Sequence, residues 1–192
     1  MAHSFTVPAV RLSITTMLGR IDRVSPRAVG AVALLAAVFA LGLALASEYW
    51  GGLLPCSLCL LERWPYRVAI LLGALATLSP RPAIRPLLWL IVVVMVANTG
   101  LAVIHVGVEQ HLWQNPISEC SAPHVSGGSA VELLLQLSNR PPQPCDRGAY
   151  LIPFVPVSMA AMNALFAAAF AALLAMFLWR SGQRRLSRTR II

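Results

Sequence analysis

Twenty consecutive residues without a charge, Ala28 to Ser47, set the terms for this chain. A bilayer's hydrocarbon core takes roughly 20 apolar helical residues to cross. Further uncharged runs of similar length lie between Leu87 and Val106 and between Val155 and Trp179. A fourth, from Ser57 to Ser79, is apolar except for Glu62, Arg63 and Arg67. No water inside a bilayer can satisfy backbone amides, so segments that cross it must close their hydrogen bonds as helices. With 58% hydrophobic and 11% charged residues and a mean hydropathy of +0.73, the composition excludes an ordinary soluble domain. The expectation is an all-α membrane protein, a single domain over residues 1–192 built as a four-transmembrane-helix bundle. Its spans fall at about 28–47, 57–79, 87–106 and 155–179. Two loops share the outer face, about 48–56 and 107–154. The longer one holds an apolar segment around Val131–Leu137, too short to cross, which reads as an interfacial helix lying on the membrane.

Charge orients the bundle. The formal charge of +8 comes entirely from arginine, since the chain has no lysine. Eleven of the 15 arginines fall in residues 1–27, 80–86 and 180–192, and four fall on the other side. Basic residues concentrate on the cytoplasmic side of membrane proteins, so both termini are expected in the cytoplasm and all four cysteines on the outer face. Arginines clustered at the ends of apolar runs mark bilayer orientation, and no nucleic-acid partner is inferred. Residues 1–27 form a basic lead-in with a short interfacial helix around Val10–Ile21, and Ser79–Pro86 a tight cytoplasmic turn. Ala44-Leu45-Ala46 resembles a signal-peptidase site, but the apolar core before it exceeds the usual 7–15 residues, so a retained span is expected. Trp64, Tyr66, Trp113 and Tyr150 read as an interfacial aromatic belt, and His105 and His111 as interface residues.

Chemistry concentrates in Leu54–Tyr66, LPCSLCLLERWPY. If the helix starts at Ser57, then Cys56, Cys59 and Arg63 stand at i, i+3 and i+7, within roughly 60° of one face. A helix N-terminus and a nearby cation both favour thiolate over thiol, as exchanging cysteines require. Pro65 is expected to kink the helix near Leu61. Glu62 points to a different face from Arg63 and does not neutralise it.

Four cysteines allow three pairings. A zinc site usually wants a second close pair, whereas 24 residues separate Cys120 from Cys145, so no metal is expected. Covalent haem needs His after the second cysteine of the motif, where Leu60 stands. Two structural disulfides are the main rival. A Cys-x-x-Cys loop is too small to stabilise much and is easily exchanged. The Gly- and Pro-rich surroundings of Cys120 and Cys145 suggest a mobile loop that can reach a partner.

Pro55-Cys56-Ser57-Leu58-Cys59-Leu60-Leu61-Glu62-Arg63 resembles the Cys-x-x-Cys-x-x-Glu-Arg pattern of bacterial disulfide bond formation protein B (DsbB). The likeness continues in His105-Val106-Gly107-Val108-Glu109 with Trp113 and Pro116, and in Cys145-Asp146 and Val157–Asn163. It implies an inner-membrane thiol oxidase that reoxidises a DsbA-like periplasmic thioredoxin-fold protein and passes the electrons to membrane quinone, ubiquinone or menaquinone. It implies a Cys120–Cys145 loop disulfide with Cys120 attacked by the partner. Cys145 then passes electrons to Cys56, Cys59 faces the quinone, and Arg63 binds it. Two other readings are a vitamin K epoxide reductase-like enzyme, whose Cys-x-x-Cys resembles one on a late helix, and a disulfide-stapled transporter or assembly factor without redox catalysis.

Overall fold

A computed structural model describes residues 25–114, 144–151 and 157–189, with side chains described as far as Gln183. Four helices carry the described residues: α1 (Pro26–Tyr49), α2 (Ser57–Leu78), α3 (Arg81–Glu109) and α4 (Met159–Thr189). No strand occurs among them. The expected interfacial helices around 10–21 and 131–137, and Cys120, lie outside the described residues.

Each helix begins and ends for local reasons. Ser25 caps α1, accepting a hydrogen bond from the Ala28 amide at 3.2 Å, and Pro26 supplies a first-turn residue with preset φ. Gly52, at φ 67°, takes the left-handed conformation that turns the chain out of α1. Pro80 precedes α3 and Pro82 sits in its first turn, where a missing N–H costs nothing. That placement corrects the expected Ser79–Pro86 turn. Only Ser79 and Pro80 connect α2 to α3, and α3 starts six residues ahead of the expected span. Helix α2 continues through Pro65 without interruption, and α4 continues to Thr189, ten residues past the expected end at Trp179.

The helices pack in chain order, α1 on α2, α2 on α3 and α3 on α4. On α1, Gly30, Ala33 and Ala37 are buried, and on α2, Ala69, Gly73 and Ala76. A Cβ built on Gly30 would meet Ala76 at 3.2 Å, and one on Gly73 would meet the Leu34 backbone and Cβ at 3.0 Å. Small residues let the two backbones approach closely, the usual source of helix association where lipid is as apolar as the side chains. Helix α3 carries the larger core residues Ile84, Leu88, Ile91 and Met95, each no more than 1% exposed. At the end of α3 where Arg85 stands, its guanidinium donates to the Leu178 carbonyl at 2.9 Å and ties α3 to α4.

Three of the helices, α1, α3 and residues Met159–Gln183 of α4, are long and apolar enough to cross a membrane. Helix α2 has the length but carries Glu62, Arg63 and Arg67 in its first half. Large apolar side chains such as Leu35, Phe39, Leu71, Val93 and Leu165 point outward, each more than 60% exposed, as a lipid-facing surface requires.

Gly73→Leu should lower bundle stability by about 1–3 kcal/mol, the usual cost of overpacking. Gly42→Leu, where an added Cβ meets no atom of a neighbouring element within 4 Å, should not. Thermal unfolding in detergent compares the two.

Candidate functional site

The end of the bundle where α2 starts holds most of its buried polar groups. Cys56 is the N-cap of α2, and its Sγ accepts the Cys59 amide at 3.1 Å. A sulfur in that position faces the unpaired amides and positive end of the helix dipole. The thiol of Cys56 is held below its ordinary value mainly by a hydrogen bond from the Cys59 side chain, with amides of Cys59 and Leu58 adding to the effect against burial. Both Cys56 and Cys59 are free thiols, the first buried and the second half-buried.

His105 is the group the sequence reading misplaced. It is 2% exposed, not an interface residue, and its Nε2 lies 3.4 Å from Cys56 Sγ. Its Nδ1 donates to Glu62 Oε1 at 2.8 Å. The other Glu62 oxygen accepts from Asn163 Nδ2 at 2.7 Å, and Asn163 Oδ1 accepts from the Tyr66 hydroxyl at 2.5 Å. Tyr66, 5% exposed, therefore leaves the expected aromatic belt and joins the interior. Trp64, Trp113 and Tyr150 remain exposed, Trp64 with Arg67 stacked 4.9 Å over its ring. His111 is exposed on the turn after α3. A second carboxylate, Glu109, accepts from Ser158 at 2.5 Å and approaches His105 Nε2 to 3.9 Å. One continuous polar network thus joins α2, α3 and α4.

Arg63 does have a counter-ion, but in α1 instead of at its sequence neighbour. Its Nη1 donates to Glu48 Oε2 at 2.5 Å, with side-chain exposures of 10% and 26%. Its Nε is buried without a hydrogen-bond partner. Arg63, Cys59 and Glu62 all line a cavity of about 250 Å³ walled by α1, α2, α4 and residues 53–55. Phe39, Leu43, Met159, Met162 and Phe166 make most of its remaining surface apolar. Cys56 is not among its walls.

Cys145 is disulfide-bonded and completely buried. It packs in one apolar cluster with Cys56, Leu58 and Val108, with Cys59 and Leu101 at its margin. The reading of a mobile arm around Cys145 therefore does not hold at this residue. Its segment is also pinned to α4, where the Met159 amide donates to the Ala149 carbonyl at 2.8 Å. The structure brings Cys56, Cys59, Arg63 and Cys145 to one end of the bundle, while Cys120 lies outside the described residues.

Two features of the site were readable but missed. His105 ends a stripe of buried α3 residues spaced four and three apart, Ile84, Leu88, Ile91, Met95, Asn98 and Ala102. Glu62 heads the matching stripe of Tyr66, Ala69, Gly73 and Ala76 on α2. That periodicity marks a helix face turned inward. Nothing local in the sequence pointed to the Glu48–Arg63 pair.

Chemically, the arrangement offers two thiols, an imidazole fixed by a carboxylate, and a cation beside an apolar cavity. Comparison with known proteins agrees with that inventory. A family model described as "Disulfide bond formation protein DsbB" matches residues 26–177. No curated protein and no solved structure matches the chain.

Two outcomes are expected. Alkylation of Cys56 as a function of pH should have its midpoint below that of an ordinary cysteine, since its thiolate persists to lower pH. Cys59→Ala removes the main donor and should move the midpoint up. Glu48→Gln should destabilise the fold by about 1.5–3 kcal/mol, the range for hydrogen bonds to charged groups. Adding Arg63→Met should cost less than the sum of the two single changes, read by unfolding in detergent.

Proposed function

We propose a function from one premise: the chain belongs to the disulfide bond formation protein DsbB family of multi-pass membrane disulfide oxidoreductases. On this reading it reoxidises a DsbA-like periplasmic dithiol and delivers the electrons to membrane quinone, ubiquinone or menaquinone. The supporting observation is the placement of Cys145, disulfide-bonded, in the same buried cluster as the Cys56 thiol. The family resemblance pairs Cys145 with Cys120, which lies outside the described residues.

The relay proceeds by thiol exchange. A partner thiolate attacks Cys120, and Cys145 leaves as thiolate. The partner's second thiol then resolves the mixed disulfide, so its dithiol becomes a disulfide and Cys120 and Cys145 become thiols. In the next exchange a Cys56–Cys59 disulfide takes those two electrons, restoring Cys120–Cys145 and leaving Cys56 and Cys59 as thiols. Their reoxidation releases two electrons and two protons.

Quinone, when bound, supplies the two-electron acceptor for that last step. The residues present fit such a group. A ring fits the apolar cavity that Cys59 and Arg63 line, and the unpaired Arg63 Nε is a buried donor suited to a quinone oxygen. Glu48 holds the Arg63 guanidinium by Nη1 and so fixes where Nε lies. The His105 ring, oriented by Glu62, stands at Cys56 as a base for the thiol proton. Helix α2 is the fourth span in this reading, with Glu62 and Arg63 turned into the bundle and Arg67 outside it over Trp64. The arginine distribution supports cytoplasmic termini in a bacterial inner membrane, with the cysteines periplasmic.

Purified protein mixed with a reduced thioredoxin-fold oxidase and a soluble quinone should deplete the quinone absorbance. Cys56→Ser and Cys59→Ser should each abolish turnover without unfolding the bundle. Loss of stability with turnover intact would favour a disulfide-stapled, non-catalytic protein. Arg63→Met should raise the KM for quinone at least tenfold while single-turnover oxidation of the partner by the loop disulfide stays within about twofold. Equal losses in both would remove Arg63 from the acceptor site.

A further inference from the structure

The three-dimensional site supplies a ligand set that sequence spacing did not. The sulfur atoms of Cys56 and Cys59 and a ring nitrogen of His105 lie within 4.8 Å of one another. In a tetrahedral zinc site, with bonds of about 2.3 Å to sulfur and 2.0–2.1 Å to nitrogen, neighbouring sulfur and nitrogen ligands stand about 3.5 Å apart. Cys56 Sγ and His105 Nε2 are 3.4 Å apart. The ring is also held as metal-binding histidines are held. Glu62 takes the Nδ1 proton at 2.8 Å, leaving the Nε2 lone pair toward the thiols, and Asn163 fixes Glu62 in turn.

We infer that Cys56, Cys59 and His105 form a three-ligand site for one thiophilic d¹⁰ cation, Zn²⁺ or Cd²⁺, whenever the two cysteines are thiols. The donor set, two soft sulfurs and one imidazole, selects such ions over Mg²⁺ or Ca²⁺. Three protein ligands leave a fourth position for water or for Glu109, whose carboxylate lies 3.9 Å from His105 Nε2. Two protons leave the thiols as the cation binds, and no electron moves. A disulfide offers neither thiolate, so the cation binds the reduced form alone and locks it. The site uses residues of the proposed relay but needs no electron transfer to operate, so each idea can fail without the other.

The test uses the full chain in detergent with Cys120→Ser and Cys145→Ser, leaving Cys56 and Cys59 as the sole thiols, reduced, anaerobic and freed of quinone. Cd²⁺ is added and its thiolate charge-transfer absorption followed in the near ultraviolet. The absorption should saturate at one Cd²⁺ per chain, and Zn²⁺ should displace it. Cys56→Ser should roughly halve the absorption. His105→Gln should weaken binding at least tenfold. Glu62→Gln keeps all three ligands but loosens the ring, so it should weaken binding severalfold and decides the matter if His105→Gln disturbs the helices. Saturation at half a Cd²⁺ per chain overturns the inference, as does unchanged affinity in both Glu62→Gln and a folded His105→Gln. Cadmium capture without quinone reduction in the unmodified chain would sink the relay alone, and turnover without capture would sink the metal site alone.

Discussion

A carboxylate buried inside an apolar helix bundle is the constraint to which the rest of this site answers. Glu62 is 6% exposed on a helix packed between two others. A charge at mid-bilayer costs about 2.5–3.5 kcal/mol on insertion scales, which bounds from above the cost at Glu62 in the second turn of α2. Hydrogen bonds to a charged group return about 1.5–3 kcal/mol each, so one such bond roughly breaks even and two leave a surplus. Glu62 has two, from His105 on α3 and Asn163 on α4. Removing either leaves the carboxylate short of a partner, and so α2, α3 and α4 are held in one register at this end. Among the described residues, the opposite end is fastened by the contact of Arg85 with the Leu178 carbonyl.

The same network decides which way each reactive group faces. Because Glu62 holds Nδ1, the His105 ring offers Nε2 to Cys56 instead of rotating freely. Because Asn163, itself held by the Tyr66 hydroxyl, donates to Glu62, the carboxylate does not swing toward Arg63, whose charge is met from α1 by Glu48. Two acidic residues thus divide two basic ones between them without crossing. Helix α1, which otherwise meets α2 through Gly and Ala, gains its one charged contact there among the described residues.

How much of this the sequence disclosed follows from which forces are local. Uncharged runs located the helices because length and apolarity are properties of a segment, and Cys56 could be placed at a helix start from its Pro55 neighbour. The end of α2 and the start of α3 were misread because Pro82 and Pro86 look like turn residues, whereas Pro82 stands in the first turn, where no hydrogen bond is lost, and α3 runs on through Pro86. His105 and Tyr66 were assigned to the interface from residue type, though each stands on an inward-facing stripe of spacing four and three. Glu48 and Arg63 lie 15 residues apart across a Gly-Gly turn, and their pairing depends on how α1 leaves the bundle, which no local pattern encodes.

The placement of the two thiols follows from capping geometry more than from helical periodicity. At i and i+3 they would share one face if both were helical. Cys56 is not; as the N-cap it has extended backbone, at φ −82° and ψ 170°, and its sulfur folds back onto the Cys59 amide. Cys56 then sits inside the cluster with Cys145, while Cys59, at that cluster's margin, also lines the cavity with Arg63. On the proposed relay, a dithiol that exchanges with a loop disulfide on one side and a lipid-soluble acceptor on the other needs sulfurs that address different neighbours. One sulfur in the cap and one in the first turn meet that demand with a two-residue spacer, which a pair placed wholly inside the helix would not.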